Sequence, residues 1–296
     1  MSIYYKIELF YKHIKQTHTK MFLYKLPNAY EACVAKRPSK TSKTPYVADI
    51  ILKGDDTNTE YMAHTASLGC CGLVEKGESI IMKDAPNPKS VCKYRVMMAK
   101  TIERGVVNII GVDPKIAEDM VEIALNKNYF TSLRNIKKYT REYKILNSRF
   151  DYFGTDANGT PFIMEVKNVP LADYVDCYEK EKKGMDFSDK DINSKIAYFP
   201  DGYRKKQKDT VSPRALKHIT ELTQIAKEAK GRIRTIMCYV IQRRDVSSFQ
   251  ASNVDPIYKA AFTEAVKNGV EVITMQVGWD ADGTANFIRD DLPINN

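Results

Sequence analysis

Apolar and polar positions change period along this chain, and the changes divide it. Residues 46–52, 78–82 and 92–102 carry short apolar runs, broken by Gly54-Asp55-Asp56 and by a loop holding Pro86 and Pro88. Close-set strands with turn punctuation predict a small barrel or sandwich. After Gly105 the pattern changes: residues 106–111 read as a strand, and Asp113-Pro114 opens an amphipathic helix. Ser212-Pro213 opens a second helix to about residue 229, with Ala215, Leu216, Ile219, Leu222, Ala226 and Ala229 at helical spacing and Gly231 as the stop. Residues 232–241 read as a strand. Asp255-Pro256 caps a third helix to about residue 268, Gly269 closes it, and 270–275 read as the last strand. Helices alternating with strands predict an α/β domain with some parallel pairing. The polar stretch 173–194 reads as an exposed loop or insertion.

The most pointed pattern is a hairpin. Ser148-Arg149-Phe150-Asp151-Tyr152-Phe153-Gly154 and Phe162-Ile163-Met164-Glu165-Val166-Lys167 flank an Asn158-Gly159 turn signal. On the second run Phe162, Met164 and Val166 take one face, and Ile163, Glu165 and Lys167 the other. Two carboxylates on neighbouring strands suit a hard divalent cation, magnesium first and manganese second. Lys167 shares the face of Glu165 and suits charge building on a phosphate. Register decides whether the carboxylates meet. A two-residue turn at Asn158-Gly159 pairs Asp151 with Val166, on the wrong face; a three-residue loop with Gly159 left-handed pairs it with Glu165. The sequence therefore predicts the odd loop, or a bulge near Asp151.

The chain of 296 residues, with 43% hydrophobic and 10% aromatic residues, supports a sizeable core. Its formal net charge of +9 points to an anionic partner, nucleic acid before membrane. No apolar run has membrane-spanning length, and the first residues have no signal-peptide core. The six cysteines lack Cys-x-x-Cys spacing and read as thiols in a reducing compartment. An intracellular, cytoplasmic protein is expected, nuclear if the source is eukaryotic or viral. His64 with Cys70 and Cys71 lacks a fourth ligand for zinc.

Basic residues cluster at Arg134, Lys137, Lys138, Arg141, Lys144 and Arg149, with Tyr139 and Tyr143 between them, and again at Lys36, Arg37, Lys40 and Lys43. Arg214, Lys217, His218 and Glu221 form a polar stripe at the start of the second helix, opposite its apolar one. Such a stripe suits phosphate. Nothing here is shaped to read base edges, so weak sequence specificity and steep salt dependence are expected.

Several ordered segments resemble one family, the sugar fermentation stimulation protein A (SfsA) proteins. They are Ser148-Arg149-Phe150-Asp151, Glu165-Val166-Lys167-Asn168-Val169 with Leu171, Phe199-Pro200-Asp201, and Arg214-x-x-Lys217-His218. Val240-Ile241-Gln242-Arg243, Asp255-Pro256 and Gly269-Val270-Glu271-Val272 continue the match; His64-Thr65-Ala66-Ser67-Leu68-Gly69 is similar to a family His-x-x-Asn-x-Gly segment, with Ser67 at the Asn. The resemblance covers residues 30–280. It implies a variable arm at 1–29, a small OB-like β-barrel at 30–104, and a PD-(D/E)XK nuclease-like mixed-sheet α/β domain at 105–296 that binds DNA. By motif, Asp151, Glu165 and Lys167 look like the nuclease triad, with Asp151, Glu165 and Asp201 as metal ligands. Lys217 and His218 look like further pocket members, His218 on the catalytic side, while Lys36, Arg37, Lys40, Arg149, Arg214 and Lys217 are the expected nucleic-acid contacts. Pro213 stands where the family usually has an acid, and 202–211 is longer than usual and basic through Arg204, Lys205, Lys206 and Lys208.

The reading is a Mg2+-dependent nuclease. Its rivals are a non-catalytic DNA-binding or regulatory protein on the same fold and a protein for a small phosphorylated ligand. The oligomeric state stays open, a homodimer being one option.

Overall fold

The computed structural model describes residues 20–66, 69–200 and 210–295. The first strand, β1 (Met21–Lys25), joins a sheet formed much later in the chain. The next five close on each other: β2 (Tyr30–Lys36), β3 (Val47–Leu52), β4 (Glu60–His64), β5 (Ser79–Asp84) and β6 (Tyr94–Glu103). Their order around the barrel is β2-β3-β4-β6-β5 and back to β2, parallel between β4 and β6 and antiparallel elsewhere. That is the five-stranded Greek-key closure of an OB-fold. Alternation places Ala32 and Val34, Ala48 and Ile50, and Ile80 and Met82 inside.

β7 (Val106–Gly111) extends the barrel beside β6, and the Gly111 N–H donates to the Gln242 carbonyl at 3.0 Å. The chain then enters α1 (Pro114–Asn126), capped by Asp113, which accepts from the Lys115 N–H. The strands β8 (Lys138–Ile145), β9 (Ser148–Thr155) and β10 (Pro161–Val169) follow as a meander. Next come β11 (Ala172–Asp173), the short α2 (Glu179–Lys182) and β12 (Lys195–Phe199). After α3 (Pro213–Ala229) come β13 (Arg234–Ile241), β14 (Val246–Ala251), α4 (Pro256–Lys267), β15 (Glu271–Trp279) and β16 (Thr284–Arg289). Ser212 caps α3 and Asp255 caps α4, each through its side-chain oxygen with Pro at the helix start.

The seven-stranded sheet runs β1-β16-β15-β13-β10-β9-β8, with β10, β13 and β15 parallel at its centre. Period-two alternation on β10 divides the two cores. Phe162, Met164 and Val166 pack with Ile116, Met120 and Val121 of α1, while Ile163 and Val169 pack with Ala215, Ile219 and Leu222 of α3. The architecture is the mixed α/β fold with an N-terminal OB-like barrel. Among the described residues no helix is long and apolar enough to cross a membrane.

Two features differ from the pattern reading, and a third adds to it. β1 lies within the stretch taken as an arm and pairs antiparallel with β16, a partner some 260 positions away that no local signal could supply. Ile81, Met97, Met98 and Ile109 of the barrel region share one apolar cluster with α1, so the barrel is fused to the second sheet. Stretch 173–194 is mostly exposed, as its polarity suggests, but it is anchored: Arg104 donates to the Phe187, Ser188 and Lys190 carbonyls, and Asp176, its one buried residue, accepts from Gln250, Ser252 and Asn253. A buried carboxylate needs such donors.

Candidate functional site

The site begins with the β9–β10 register. Thr155 pairs with Pro161 and Tyr152 with Met164, and the Asp156 N–H donates to the Thr160 carbonyl at 2.9 Å. The loop is therefore the three residues 157–159, with Gly159 left-handed at φ 89°. Continued by one more pair, this register sets Asp151 against Glu165. The ladder stops before that pair, and the Asp151 carboxylate takes over: its Oδ2 accepts the Val166 N–H at 2.7 Å.

A second irregularity accompanies it. On β8, Glu142 is left-handed at φ 57°, and the β8–β9 pairing skips Glu142 and Asp151 while keeping one register on either side. Tyr152 packs into the α1 core, yet Phe150, two residues earlier, packs into the α3 core, so the alternation breaks at Asp151. The break brings Phe150 beside His218, ring centroids 5.7 Å apart.

Glu165 is 2% exposed. Its Oε1 is in contact with both Lys167 Nζ and His218 Nδ1, and those two nitrogens lie 3.5 Å apart. Glu165 Oε2 is buried with no hydrogen-bond partner among the described residues. Burial opposes ionisation of Glu165, but Lys167 and His218 outweigh it and hold its pKa below the usual value. Asp151 goes the other way: burial, and then the charge of Glu165, push its pKa up to about 7. Two neighbouring carboxyls with pKa values driven apart are the arrangement of an acid/base or metal-binding pair. Beneath them Tyr239, paired in register with Lys167, shares a hydroxyl hydrogen bond of 2.7 Å with Tyr258.

The donor set fits a hard cation. It offers one buried carboxylate oxygen without a partner and, beside it, the Asp151 carboxyl, which in its ionised form is an oxygen ligand of the kind Mg2+ takes alongside several waters. Among the described residues no group of three or more His, Cys, Asp or Glu is gathered as a complete metal cage. Asp201, Ser67 and the basic residues Arg204, Lys205, Lys206 and Lys208 lie outside the described residues.

The polar stripe of α3 is split by the sheet beneath it. Arg214 and Lys217 are exposed, whereas His218 and Glu221 are buried at 4% and 8% exposure. The reason is angular: His218 and Glu221 adjoin the buried Ile219 and Leu222 on the helix circumference. Lys217 Nζ donates to the Asn147 carbonyl at 2.5 Å and stands 3.9 Å from Glu221, whose Oε2, like Ser148 Oγ, is buried without a partner among the described residues. The sequence places Glu221 on the polar stripe with Arg214 and Lys217; no local signal distinguishes its buried environment from theirs.

The expected surface contacts fall into two groups. Arg149 is exposed on β9 and pairs with Glu142 at 2.7 Å. Arg214 and Lys217 stand at the start of α3. Lys36, Arg37 and Lys40 belong to the barrel, on β2 and the turn after it. Lys36 is exposed and Lys40 pairs with Glu60 at 2.7 Å. The Arg37 side chain is only 3% exposed and donates to the Pro45 carbonyl at 3.0 and 2.8 Å, so it braces the turn instead of facing solvent. Arg141 is likewise engaged, by Glu118, Asp119 and Glu122 of α1.

The chain as a whole is similar to known proteins. A family model described as the sugar fermentation stimulation protein RE domain matches residues 115–283. The sugar fermentation stimulation protein homolog of Shewanella halifaxensis is 27% identical over 231 residues, 77% of this chain and 83% of the relative. That of Paramagnetospirillum magneticum is 29% identical over 232 residues, with the same shares of each chain. The solved structure of Pyrococcus furiosus SfsA in complex with Ca2+ matches with a TM-score of 0.71 at 18% identity, covering 93% of this chain and 100% of that one. The family model spans more than half of the sequence, from the first residues of α1 to the turn before β16, and on that ground the chain belongs to the SfsA family.

Proposed function

We propose that this protein is a divalent-cation-dependent phosphodiesterase that acts on nucleic acid, DNA first, with little sequence specificity. The observation that carries the reading is the convergence of Asp151, Glu165 and Lys167 on one sheet face, with a buried Glu165 oxygen left unpartnered. Asp151 and Glu165 would hold the cation, Mg2+ or Mn2+, with Asp201 as the further ligand that the family motif suggests. A cation bound there would lower the pKa of a water and polarise the scissile phosphate. The relative from Pyrococcus furiosus was solved in complex with Ca2+, a cation of the same hard class.

The chain's own residues supply the rest. Lys167 leaves Glu165 for a phosphate oxygen as negative charge develops on it, a donor whose value rises in a dry site. His218 stays on Glu165 and fixes that carboxylate against the helix. Arg214 and Lys217, at the N-terminal end of α3, bind a flanking phosphate with help from the helix dipole. The net charge of +9 favours a long polyanion over a small phosphorylated ligand.

Incubation of single- and double-stranded DNA and RNA with Mg2+ or Mn2+ tests the reading, with Asp151→Ala and Glu165→Ala as controls. Cleavage by the native chain that disappears in both variants supports it. The rival, a DNA-binding protein without turnover, draws on Pro213, which stands at the family's acidic position. DNA binding that neither needs metal nor leads to cleavage favours that rival.

A further inference from the structure

The backbone break at Glu142 and Asp151 has a second effect besides freeing the Asp151 carboxylate. In a regular strand Arg141 and Tyr143 share a face. Here Arg141 is held on the α1 side by Glu118, Asp119 and Glu122, while the ring of Tyr143 stacks on Phe153 of the α3 side, centroids 4.3 Å apart at 18°. Phe153 pairs with Ile163 in register, and Ile163 and Glu165 share a strand face. The Tyr143–Phe153 stack therefore lies on the face that carries Asp151, Glu165 and Lys167. A left-handed Glu142, a conformation that residues with a side chain rarely adopt, turns a large aromatic ring toward the site. That ring remains 39% exposed.

The cation on this side comes from α3, since Lys144 and Arg149, paired across β8 and β9, take the opposite face from Tyr143 and Phe150. Lys217 Nζ reaches the β8–β9 turn from α3 through the Asn147 carbonyl. At that turn Leu146 is exposed and also left-handed, at φ 52°. An aromatic plane open on one side, backed by a second ring and with a lysine at its edge, is how proteins hold single-stranded nucleic acid: bases stack on the ring and phosphates follow the charge.

We propose that Tyr143, backed by Phe153, is a stacking platform for an unpaired base, so that the substrate is single-stranded or locally opened nucleic acid. The inference rests on the phosphodiesterase reading above and names its substrate class. Phe153, which backs the platform, lies two strand positions from Asp151, roughly 7 Å along β9, so a base on Tyr143 brings its adjoining phosphate toward the carboxylates.

The test compares a single-stranded oligodeoxynucleotide carrying one 2-aminopurine with its duplex, using the full chain in Ca2+, by anisotropy for affinity and by 2-aminopurine fluorescence for stacking. Native protein is expected to bind the single strand more tightly than the duplex and to quench the fluorophore. Tyr143→Leu, which keeps apolar cover over Phe153, should lose roughly tenfold in single-strand affinity and lose the quenching. Tyr143→Trp should keep both, and duplex binding should be the same in all three. Circular dichroism melts check that each variant folds. Equal affinity for both forms with no effect of Tyr143→Leu overturns the platform while leaving the phosphodiesterase reading standing. No binding of either form by native protein overturns both.

Discussion

Asp151 Oδ2 accepts the Val166 backbone N–H at 2.7 Å, on the one side of β10 where the neighbouring strand has stopped pairing. A side chain thereby completes a ladder that backbone left open, and its carboxyl is drawn against Glu165. The two carboxyls meet because β9 breaks its alternation there. The break satisfies the orphan N–H and builds the acidic pair at once.

The pH dependence of cation binding follows. The Asp151 pKa, pushed up to about 7 by burial and by Glu165, makes a proton compete with a cation for the same oxygen. Mg2+ affinity should rise as pH increases through about 7 and then level off. In Asp151→Asn the affinity should fall at least about tenfold and lose its pH dependence. Calorimetric titrations at about pH 6 and about pH 8 measure both; identical native affinities at the two pH values would refute the assignment.

Stability of the metal-free protein should move the opposite way. The folded-state pKa of Asp151 is raised above its unfolded value of about 3.9, so the protonated carboxyl favours the folded state. That contribution is fully present below about pH 4 and is lost as pH rises through about 7, on the order of 3–4 kcal/mol before any relaxation. Denaturant midpoints across that range should decline in native protein and stay flatter in Asp151→Asn. A native midpoint that climbs toward neutrality would show that Asp151 is solvated.

Lys167→Met separates turnover from metal binding. Its ammonium contacts Glu165, lies 3.5 Å from His218 Nδ1 and reaches the Val166 carbonyl at 3.4 Å. Removing a donor aimed at developing charge should lower cleavage roughly 10²–10³-fold, with Mg2+ affinity changed far less. Full activity in Lys167→Met would assign the phosphate charge to Lys217 or Arg214 instead.

Gly111 marks the join between barrel and sheet. A Cβ there would meet Gln242 Cδ at 2.5 Å and the Trp279 Nε1 at 2.7 Å, two groups already hydrogen-bonded to each other. Gly111→Ala should therefore destabilise by about 1–3 kcal/mol, visible as a lower thermal midpoint. An unchanged midpoint would mean that β7 can slide away from β13 and β15.

A buried ionic group elsewhere gives an acid-side test. Asp245 accepts from Arg243 at 2.7 and 2.8 Å and from Lys195 at 2.7 Å. Burial raises its pKa, but Arg243 and Lys195 outweigh that and lower it to about 2. The folded pKa lies below the unfolded one, so this stabilisation is present above about pH 4 and is lost as pH falls toward about 2. Asp245→Ala leaves buried Arg243 without a carboxylate and Lys195 with Glu103 alone, and should cost about 3–5 kcal/mol; urea melts at neutral pH decide it.

Local chemistry settles much of this protein in its sequence. Asp113, Ser212 and Asp255 before proline mark three helix starts, because capping acts within a few residues. Alternation along β10 assigns Glu165 and Lys167 to one face and Met164 and Val166 to the other, because pleating has a fixed period. Even the odd loop at Gly159 is legible, since only that register opposes Asp151 to Glu165. What tertiary structure alone decides is which polar residues are enclosed. Glu221 reads as part of a polar helix stripe but is buried, Arg37 reads as a phosphate contact but braces a turn, and β1 crosses to β16 at the far end of the chain. Tyr143 reaches the site face only through a left-handed Glu142. Burial and backbone handedness at such places depend on partners distant in sequence, and no short-range pattern encodes them.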